Sequence, residues 1–393
     1  MTFILIITQI LKSVKELNLI HLITIYLLSS LRLLIVFLLF CKMKKILVTG
    51  GCGYIGAHTL LDLIEHGFDP ICVDNNSGST GALLKGIKNI TGVDVKNYKV
   101  DLCNFDDTYA IFQENDNIDG IIHFAAFKAV GESVKEPLKY FENNLSSLIN
   151  ILKCTKEFDI PNFIFSSSCT VYGSPDEIPV TEQTPQKPAE SPYGATKQMG
   201  EEIVKASTAT GGLNSILLRY FNPVGAHPSA LIGELPLGKP ENLVPAITQT
   251  AIGKLKQLTV HGDDFPTRDG SCVRDYIHVC DIAHAHILAL QYLIDKKNTA
   301  ACEVFNLGSG NGVTVLEAIQ SFEKISGVKL NYVIGPRRPG DVVAVYANNS
   351  LSKEKLGWDP KYSLDEMMST AWKWELKLKE DEKIHNNPNF QMN

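Results

Sequence analysis

The segment that runs from Lys45 to Asp74 limits the fold of this chain more than any other part of the sequence. Residues Lys45–Thr49 (KILVT) form an apolar, partly β-branched run, which predicts a buried parallel strand. Four glycines follow directly: Gly50, Gly51, Gly53 and Gly56. Apolar residues then recur at helical spacing as far as Gly67, and a second apolar run ends at Asp74. This order of strand, turn, helix and strand predicts an α/β fold with a Rossmann-type doubly wound parallel sheet.

The glycine spacing is typical of a dinucleotide-binding turn. Glycine lets the backbone approach a pyrophosphate closely, and a helix N-terminus offers free N–H groups at the positive end of its dipole. Asp74 lies 18 residues after Gly56, where a carboxylate accepts hydrogen bonds from a ribose diol and repels a 2′-phosphate. We therefore expect NAD rather than NADP as cofactor. The alternative is a glycine-rich turn without a ligand.

Two further apolar runs extend the predicted sheet, and each leads into candidate cofactor contacts: Tyr98–Val100 into Asp101 and Leu102, and Gly120–His123 into Phe124 and Ala125. Ligands of open α/β sheets bind at the carboxyl ends of the strands. We expect the adenine ring and the nicotinamide ribose there, with a helix cap as the alternative role for Asp101.

A tyrosine and a lysine form the candidate catalytic pair. The strand Asn162–Phe165 leads into three serines, and a proline-rich loop separates it from a helix that begins with SPYGATK. Tyr193 and Lys197 are four residues apart, so they share one helix face. The ammonium and a positive nicotinamide favour the phenolate, and moving the tyrosine pKa toward 7 takes about 4 kcal/mol. Tyr193 would then act as a general base. Tyr292 and Lys296 have the same spacing, and we interpret them as an ordinary helix face.

Composition excludes some partners. The net charge of −6 and the lack of a long basic run give no reason to expect nucleic acid or an anionic membrane surface as a partner. Nine cysteines without a CxxC pair make a disulfide framework or a zinc site an unfavourable interpretation, and we expect no metal. A reducing, cytoplasmic location follows as an expectation.

The chain divides into four segments in this interpretation. Residues 1–42 are an apolar extension that either has no role in the fold or anchors the protein in a membrane through residues 17–41, so membrane contact depends on their insertion. Residues 43–222 form the predicted NAD-binding domain. Residues 223–378 form a smaller mixed α/β substrate domain, partly interleaved with the first. Residues 379–393 are a polar tail expected to fray.

Six segments together resemble one family, the UDP-glucose 4-epimerases among the extended short-chain dehydrogenase/reductases: TGGCGYIG, IIHFAAFKAVGESV, FSSSCTVYG, SPYGATK, LLRYFNPVGAHP and VRDYIHVCDIA. The resemblance covers about residues 43–375. It implies that Tyr193 takes a proton from the sugar 4-hydroxyl while C4 gives a hydride to tightly held NAD. It also implies that Ser168 binds the 4-oxygen, that Lys197 holds the nicotinamide ribose, and that the 4-keto sugar turns before the hydride returns. A homodimer formed through a two-helix face is implied as well.

The resemblance also assigns binding residues. The implied cofactor contacts, besides the glycines and Lys197, are Tyr54, Ile55, Asp74, Asn75, Asp101, Leu102, Phe124, Ala125, Lys128, Asn143 and Phe221. The implied contacts with the UDP-hexose are Ser168, Thr170, Tyr193, Asn222, Asn242, Leu243, His261, Arg274, Arg338, Asp341 and Val345. Guanidinium groups suit a diphosphate, although Arg274 and Arg338 could instead be surface salt-bridge partners. Asp341 would bind a uridine ribose hydroxyl.

Three residues depart from the family pattern. Cys169 stands where alanine is more usual, a small-for-small change. His261 replaces an aromatic ring against the uracil and can still stack. Val345 stands where some members have a bulky tyrosine near the sugar 2-substituent, so we expect some activity on the UDP-N-acetylhexosamines.

Three other functions are alternatives to epimerisation. A sugar-nucleotide 4,6-dehydratase needs an acid and a base after the serine-rich strand, and this chain has Thr170 and Val171 there. Another epimerase or a decarboxylase of the same family is the second alternative. A non-catalytic nucleotide-sugar sensor is the third, and the presence of Ser168, Tyr193 and Lys197 argues against it.

Overall fold

The computed structural model describes residues 43–338 and 341–385. The predicted N-terminal extension and residues 386–393 of the predicted tail lie outside these ranges. Within the described ranges, no helix combines the length and the apolar character that a membrane crossing needs.

Thirteen strands and eleven helices make up the described part of the chain. The strands are β1 (Lys45–Thr49), β2 (Asp69–Val73), β3 (Asn97–Tyr98), β4 (Ile118–His123), β5 (Asn162–Ser168), β6 (Asn214–Tyr220), β7 (Asn222–Val224), β8 (Leu258–His261), β9 (Val273–Arg274), β10 (Tyr276–His278), β11 (Cys302–Leu307), β12 (Val313–Thr314) and β13 (Tyr332–Gly335). The helices are α1 (Tyr54–Glu65), α2 (Ala82–Thr91), α3 (Phe105–Glu114), α4 (Val130–Lys135), α5 (Pro137–Glu157), α6 (Pro192–Ala209), α7 (Leu243–Ala251), α8 (Val279–Ile294), α9 (Val315–Ser326), α10 (Ser350–Leu356) and α11 (Leu364–His385). A short 3₁₀ turn, Cys169–Tyr172, follows β5.

Seven parallel strands form the main sheet in the order β11-β6-β5-β4-β1-β2-β3. Its central strands are buried on both faces, and this burial explains their apolar middle residues. One face packs against α1 and α8, and the other packs against α5 and α6. The predicted doubly wound parallel sheet is confirmed.

The second half of the chain contributes to two cores. Helices α7, α9 and α11 pack with β8 around a smaller core that includes Ile247, Phe322 and Met368. Strand β11 pairs with β6 in the main sheet, and α8 lies against β5 and β6. The chain therefore returns to the sheet after residue 223, while the domain division at residue 222 stays a prediction.

Several element boundaries differ from the sequence-based expectations. The strand expected at Tyr98–Val100 is the two-residue β3. Helix α8 ends at Ile294 and Lys296 has a φ of 55°, so the expected helix face for Tyr292 and Lys296 was wrong. Asp101 is not the cap of α3, because Asn104 takes that place and its side chain accepts from the N–H groups of the first turn.

The predicted fraying after Leu378 was wrong for residues 379–385, which continue α11. Leu378 packs against the core of the main sheet. Lys377 pairs with Asp381 at 2.9 Å, and Lys254 pairs with Glu382 at 2.8 Å. These contacts stabilise the polar last turns of α11, which the composition of the segment does not predict.

Candidate active site

The turn after β1 requires glycine at two positions, because a side chain at either one would overlap neighbouring backbone atoms. Gly50 has a φ of 69°, and its N–H donates to the Val73 carbonyl at 2.8 Å. A Cβ on Gly50 would lie 2.9 Å from the Ala125 nitrogen, and one on Gly56 would lie 2.2 Å from the Gly50 oxygen. The turn therefore brings the ends of β1 and β4 against the start of α1.

The start of α1 is open to an anion. Its N-cap, Gly53, has no side chain to accept from the first-turn N–H groups, which belong to Tyr54, Ile55 and Gly56. The Tyr54 hydroxyl is engaged elsewhere, donating to the Gly225 carbonyl at 2.6 Å. Tyr54 can therefore meet a pyrophosphate through its backbone.

Asp74 follows β2 and is tied to the glycine turn. One carboxylate oxygen accepts from the Cys52 N–H at 3.0 Å, and the other accepts from the Asn76 N–H at 2.8 Å. Partial burial raises the pKa of Asp74, and these hydrogen bonds act in the opposite direction. The first oxygen also carries a second lone pair that can accept from a ribose hydroxyl, while the other already accepts a further bond from the Ser79 hydroxyl at 3.3 Å. Asn75 comes next and accepts from the Ser77 N–H at 2.9 Å.

The ends of β3 and β4 are held by polar residues that sequence reasoning missed. The Leu102 carbonyl accepts from the Asn150 amide at 2.9 Å, while Asp101 is exposed. The Ala125 N–H donates to the Thr49 hydroxyl at 3.2 Å. Asn144, beside Asn143, bonds both the N–H and the carbonyl of Phe127 and so fixes the loop between Phe124 and Lys128.

Lys128 and Asn242 meet at one carboxylate. Glu234 accepts from the Asn242 amide at 2.8 Å, and the Lys128 ammonium lies 3.4 Å away. A predicted cofactor contact and a predicted substrate contact are thus joined by a residue that the sequence did not single out. Leu243 packs instead in the smaller core.

Tyr193, Lys197 and Ser168 come together where β5 meets α6. Tyr193 is buried and lies close to Ser168, whose Oγ accepts from the Thr170 N–H at 3.2 Å. The Lys197 ammonium donates to the Ser166 carbonyl at 2.7 Å and lies 5.9 Å from the Tyr193 ring centroid. The end of the strand and the helix face therefore supply three polar groups at one point.

The protein's own groups do not make the Tyr193 phenol acidic. Burial raises its pKa well above 10, Tyr220 adds to the rise, and the Ser168 hydroxyl acts in the opposite direction. Burial also lowers the pKa of Lys197 to about 8, against the charge of Glu201. The expected low tyrosine pKa thus depends on the positive nicotinamide ring.

A buried ion pair lies behind the catalytic turn. Arg219 donates to both oxygens of Glu201, from Nε at 2.8 Å and from Nη2 at 2.6 Å. Ser167 and Gln186 also donate to this carboxylate, at 2.6 and 2.8 Å. Sequence analysis missed the pair, although an arginine inside the apolar strand β6 is a signal of a buried ionic partner.

The predicted diphosphate and ribose contacts form one cluster. Arg274 and Arg338 both contact the Asp341 carboxylate, at 3.3 and 3.1 Å. Each arginine is thus an ion-pair partner in this structure, and its contact with a diphosphate stays a prediction. His261 lies near this cluster, with its Nδ1 3.2 Å from the Pro336 carbonyl.

Phe221 and Val345 pack in one small core with Val171 and Tyr172, and Cys169 lies against it. Val345 is 7% exposed. The Thr170 hydroxyl in the turn after Ser168 is buried without a hydrogen-bond partner, as expected of a group that meets a ligand. Asn222 starts β7, and its N–H donates to the Asp275 carbonyl at 2.9 Å.

One group of three possible metal ligands lies among the described residues, on α1, its C-cap and α8. The ring nitrogens of His66 and His284 lie 3.2 and 3.1 Å from the two Asp62 oxygens. Hydrogen bonds satisfy these groups as they stand. The eight described cysteines are free thiols, and Cys52 and Cys72 have their sulfurs 3.8 Å apart.

Comparisons with known proteins identify close relatives. Residues 47–371 match the family model described as GDP-mannose 4,6 dehydratase. The UDP-glucose 4-epimerase of Bacillus subtilis is 46% identical over 331 residues, which are 84% of this chain and 96% of that protein.

Solved structures agree with this likeness. The UDP-glucose 4-epimerase of Stenotrophomonas maltophila, crystallised with NAD and formylated UDP-arabinopyranose, is 44% identical with a TM-score of 0.83, over 86% of this chain and all of that one. The UDP-Glc/GlcNAc 4-epimerase of Campylobacter jejuni is 35% identical with a TM-score of 0.73, over 85% and 99%.

Proposed function

This chain belongs to the UDP-glucose 4-epimerase family of extended short-chain dehydrogenase/reductases, and from that premise we propose that it interconverts UDP-glucose and UDP-galactose with tightly bound NAD. The observation that carries the proposal is the meeting of Tyr193, Ser168 and Lys197 at the carboxyl end of β5, on the same edge of the parallel sheet as the uncapped start of α1. These are the groups that a reversible oxidation at a sugar hydroxyl needs.

The residues at the sheet edge fit NAD. The first-turn N–H groups of α1 suit the pyrophosphate, and the carboxylate of Asp74 suits the ribose diol. Lys197 would hold the nicotinamide ribose. When bound there, NAD would supply the chemistry of a reversible hydride acceptor for C4.

The chain's own residues manage the proton and the position of the sugar. Tyr193 takes the proton of the 4-hydroxyl, and Ser168, which lies beside that phenol, hydrogen-bonds the 4-oxygen and so orients the hydroxyl toward Tyr193. Arg274, Arg338 and Asp341 hold the diphosphate and the uridine ribose. Because these contacts bind the UDP and not the hexose, the 4-keto sugar can turn within the site before it is reduced again.

The direct test needs only the purified protein. The absorbance of the bound cofactor is recorded, and UDP-galactose is added without NAD. We expect UDP-glucose to form. No product with or without added NAD would overturn the proposal.

Dehydration is the alternative that the matched family model raises. The residues after Ser168 do not support it, because Thr170 carries only a hydroxyl and Val171 is fully buried. The curated relatives that match at about 46% identity are epimerases. A 4-keto-6-deoxy product in the same assay would favour dehydration.

The space around the sugar 2-substituent determines whether UDP-N-acetylhexosamines are accepted in addition to UDP-glucose and UDP-galactose. Val345 lies in the small core with Phe221, and its side chain is shorter than the tyrosine that some relatives carry there. The Campylobacter jejuni relative is described as acting on both glucose and N-acetylglucosamine. We therefore extend the proposal to the UDP-N-acetylhexosamine pair.

A homodimer is the proposed assembly. Helices α5 and α6 pack side by side, and their outer faces expose Ile149 and Met199. Such apolar side chains on a two-helix face are suited to a second copy of the chain. We expect size-exclusion chromatography with light scattering to give a dimer, and the double variant Ile149→Glu, Met199→Glu to elute as a monomer.

A further inference from the structure

The buried carboxylate of Glu201 lies one helical turn after Lys197, on the same side of α6. It is fully buried, and its oxygens accept four hydrogen bonds: from Ser167, Gln186 and, twice, Arg219. These partners belong to β5, the proline-rich loop and β6. One side chain thus joins the catalytic helix to three neighbouring segments.

The hydrogen bond from Ser167 to Glu201 lies at the end of β5, next to the residues that contact the catalytic pair. Ser167 stands between Ser166, whose carbonyl accepts from Lys197, and Ser168, whose hydroxyl lies close to Tyr193. Side chains alternate along a strand, so Ser167 points away from the face of Ser168 and toward Glu201. The bond fixes the strand end on the side opposite to Ser168.

Charge is the second part of the argument. Arg219 balances the Glu201 charge, and the partly exposed Lys205 ammonium lies 3.7 Å from the same carboxylate. The Glu201 charge favours the ammonium form of Lys197 against burial. Burial raises the pKa of Glu201, but Arg219 outweighs it and keeps the carboxylate ionised. Without this carboxylate, Arg219 would leave an unbalanced positive charge behind Lys197.

The other groups that face the catalytic pair stay neutral near pH 7. Burial lowers the pKa of His123 on β4 to about 3. It raises that of Cys169 to about 11, that of Tyr220 on β6 to about 12, and that of Tyr140 on α5 well above its usual value. The pH dependence of the reaction therefore reports on the Tyr193–Lys197 pair and the charges behind it.

We propose that Glu201 is a positioning residue for the epimerase reaction: held by Arg219, it fixes the strand end through Ser167 and supplies the negative charge that faces Lys197. It need not touch the sugar or the cofactor. This inference rests on the proposed function.

Two substitutions separate the two roles of Glu201. Glu201→Gln removes the charge at constant size, and Ser167→Ala removes the anchor while it keeps the charge. We expect Glu201→Gln to lower kcat about tenfold at pH 7.5 and to move both limbs of the kcat profile toward lower pH by at least about half a unit, because lost negative charge makes both deprotonations easier. We expect Ser167→Ala to lower kcat several-fold without moving the profile, and KM to stay nearly constant in both variants.

Two further variants act as controls. Glu202→Gln changes a neighbouring exposed carboxylate of α6 that pairs with Lys205, and we expect wild-type kinetics. The double variant Glu201→Gln, Arg219→Met removes both charges, and its profile should return toward that of the wild type while kcat stays low.

Bound NAD and the thermal midpoint are measured for every variant. If Glu201→Gln does not fold, Ser167→Ala decides, and wild-type kcat in that variant overturns the inference. If Glu201→Gln folds and matches Glu202→Gln in kcat and profile, the inference is also overturned. Failure of the proposed function would appear differently, as a wild-type protein with no epimerase activity.

Discussion

Tyr193 shows how much of the chemistry depends on one buried phenol. Its pKa is raised by burial, so proton removal at neutral pH needs the combined help of Ser168, Lys197 and the positive nicotinamide. A tyrosine in this setting holds its proton firmly in the free protein. The proton becomes available when the cofactor and sugar complete the site.

Replacing Tyr193 with Phe removes the proton acceptor and leaves the ring in place. We expect kcat for UDP-galactose to fall by about 10²–10⁴-fold, with bound NAD unchanged. The matched control is Tyr292→Phe, which alters the other tyrosine with a lysine four residues later; that side chain lies on α8 and its hydroxyl has no hydrogen-bond partner. Undiminished epimerisation in Tyr193→Phe would show that another group is the base.

Val345 gives a second prediction at this scale. In the small core with Phe221, a tyrosine at position 345 needs space that an N-acetyl group would otherwise fill. We expect Val345→Tyr to lower kcat/KM for UDP-N-acetylgalactosamine at least about tenfold relative to UDP-galactose. The ratio of the two rates is the measurement, and an unchanged ratio would refute this role.

At the scale of elements, the junction of β1 and α1 is the most constrained. A methyl group on Gly56 would overlap the Gly50 carbonyl, so any side chain there must push the helix away from the turn. The pyrophosphate contacts depend on that close approach.

We therefore expect Gly56→Ala to lose most of its bound NAD, as measured by the cofactor absorbance of the purified protein. Gly78→Ala is the control, since a Cβ there meets no atom within 4 Å. Equal cofactor content in the two variants would contradict the expectation.

Local patterns predicted the elements near the cofactor well. β1 matches its expected bounds, and α1 and β2 nearly match, because short apolar runs and glycines determine them locally. The buried contacts of Glu201 could not be predicted from the sequence, because its partners come from separate segments that only the folded sheet brings together. Asn144 was missed for the same reason, since nothing near it in the sequence marks a buried amide.

At the scale of the whole molecule, four neutral histidines are buried in the fold. Burial lowers the pKa of His58, His123 and His278 to about 3 and that of His286 to about 4. An unfolded histidine titrates near 6.5. Between these values the unfolded chain binds more protons, so each histidine's contribution to stability is complete above pH 6.5 and declines as the pH falls.

The effect of one histidine is measurable by difference. We expect the free energy of unfolding of the wild type to fall between pH 7.5 and 5.5 by about 1.4 kcal/mol more than that of His286→Leu. Urea denaturation at the two pH values, with NAD in excess, gives both quantities. Equal losses would mean that His286 is protonated in the folded protein.

The position of β11 has a consequence for biosynthesis. This strand flanks β6 in the main sheet, although about 80 residues separate the two along the chain. While a ribosome is still making the intervening segment, the outer edge of β6 has no neighbour and offers unpaired N–H and carbonyl groups to other nascent chains. The sheet can close only once residue 307 has emerged, so the interval before that point is when a chaperone would be of most use to this polypeptide.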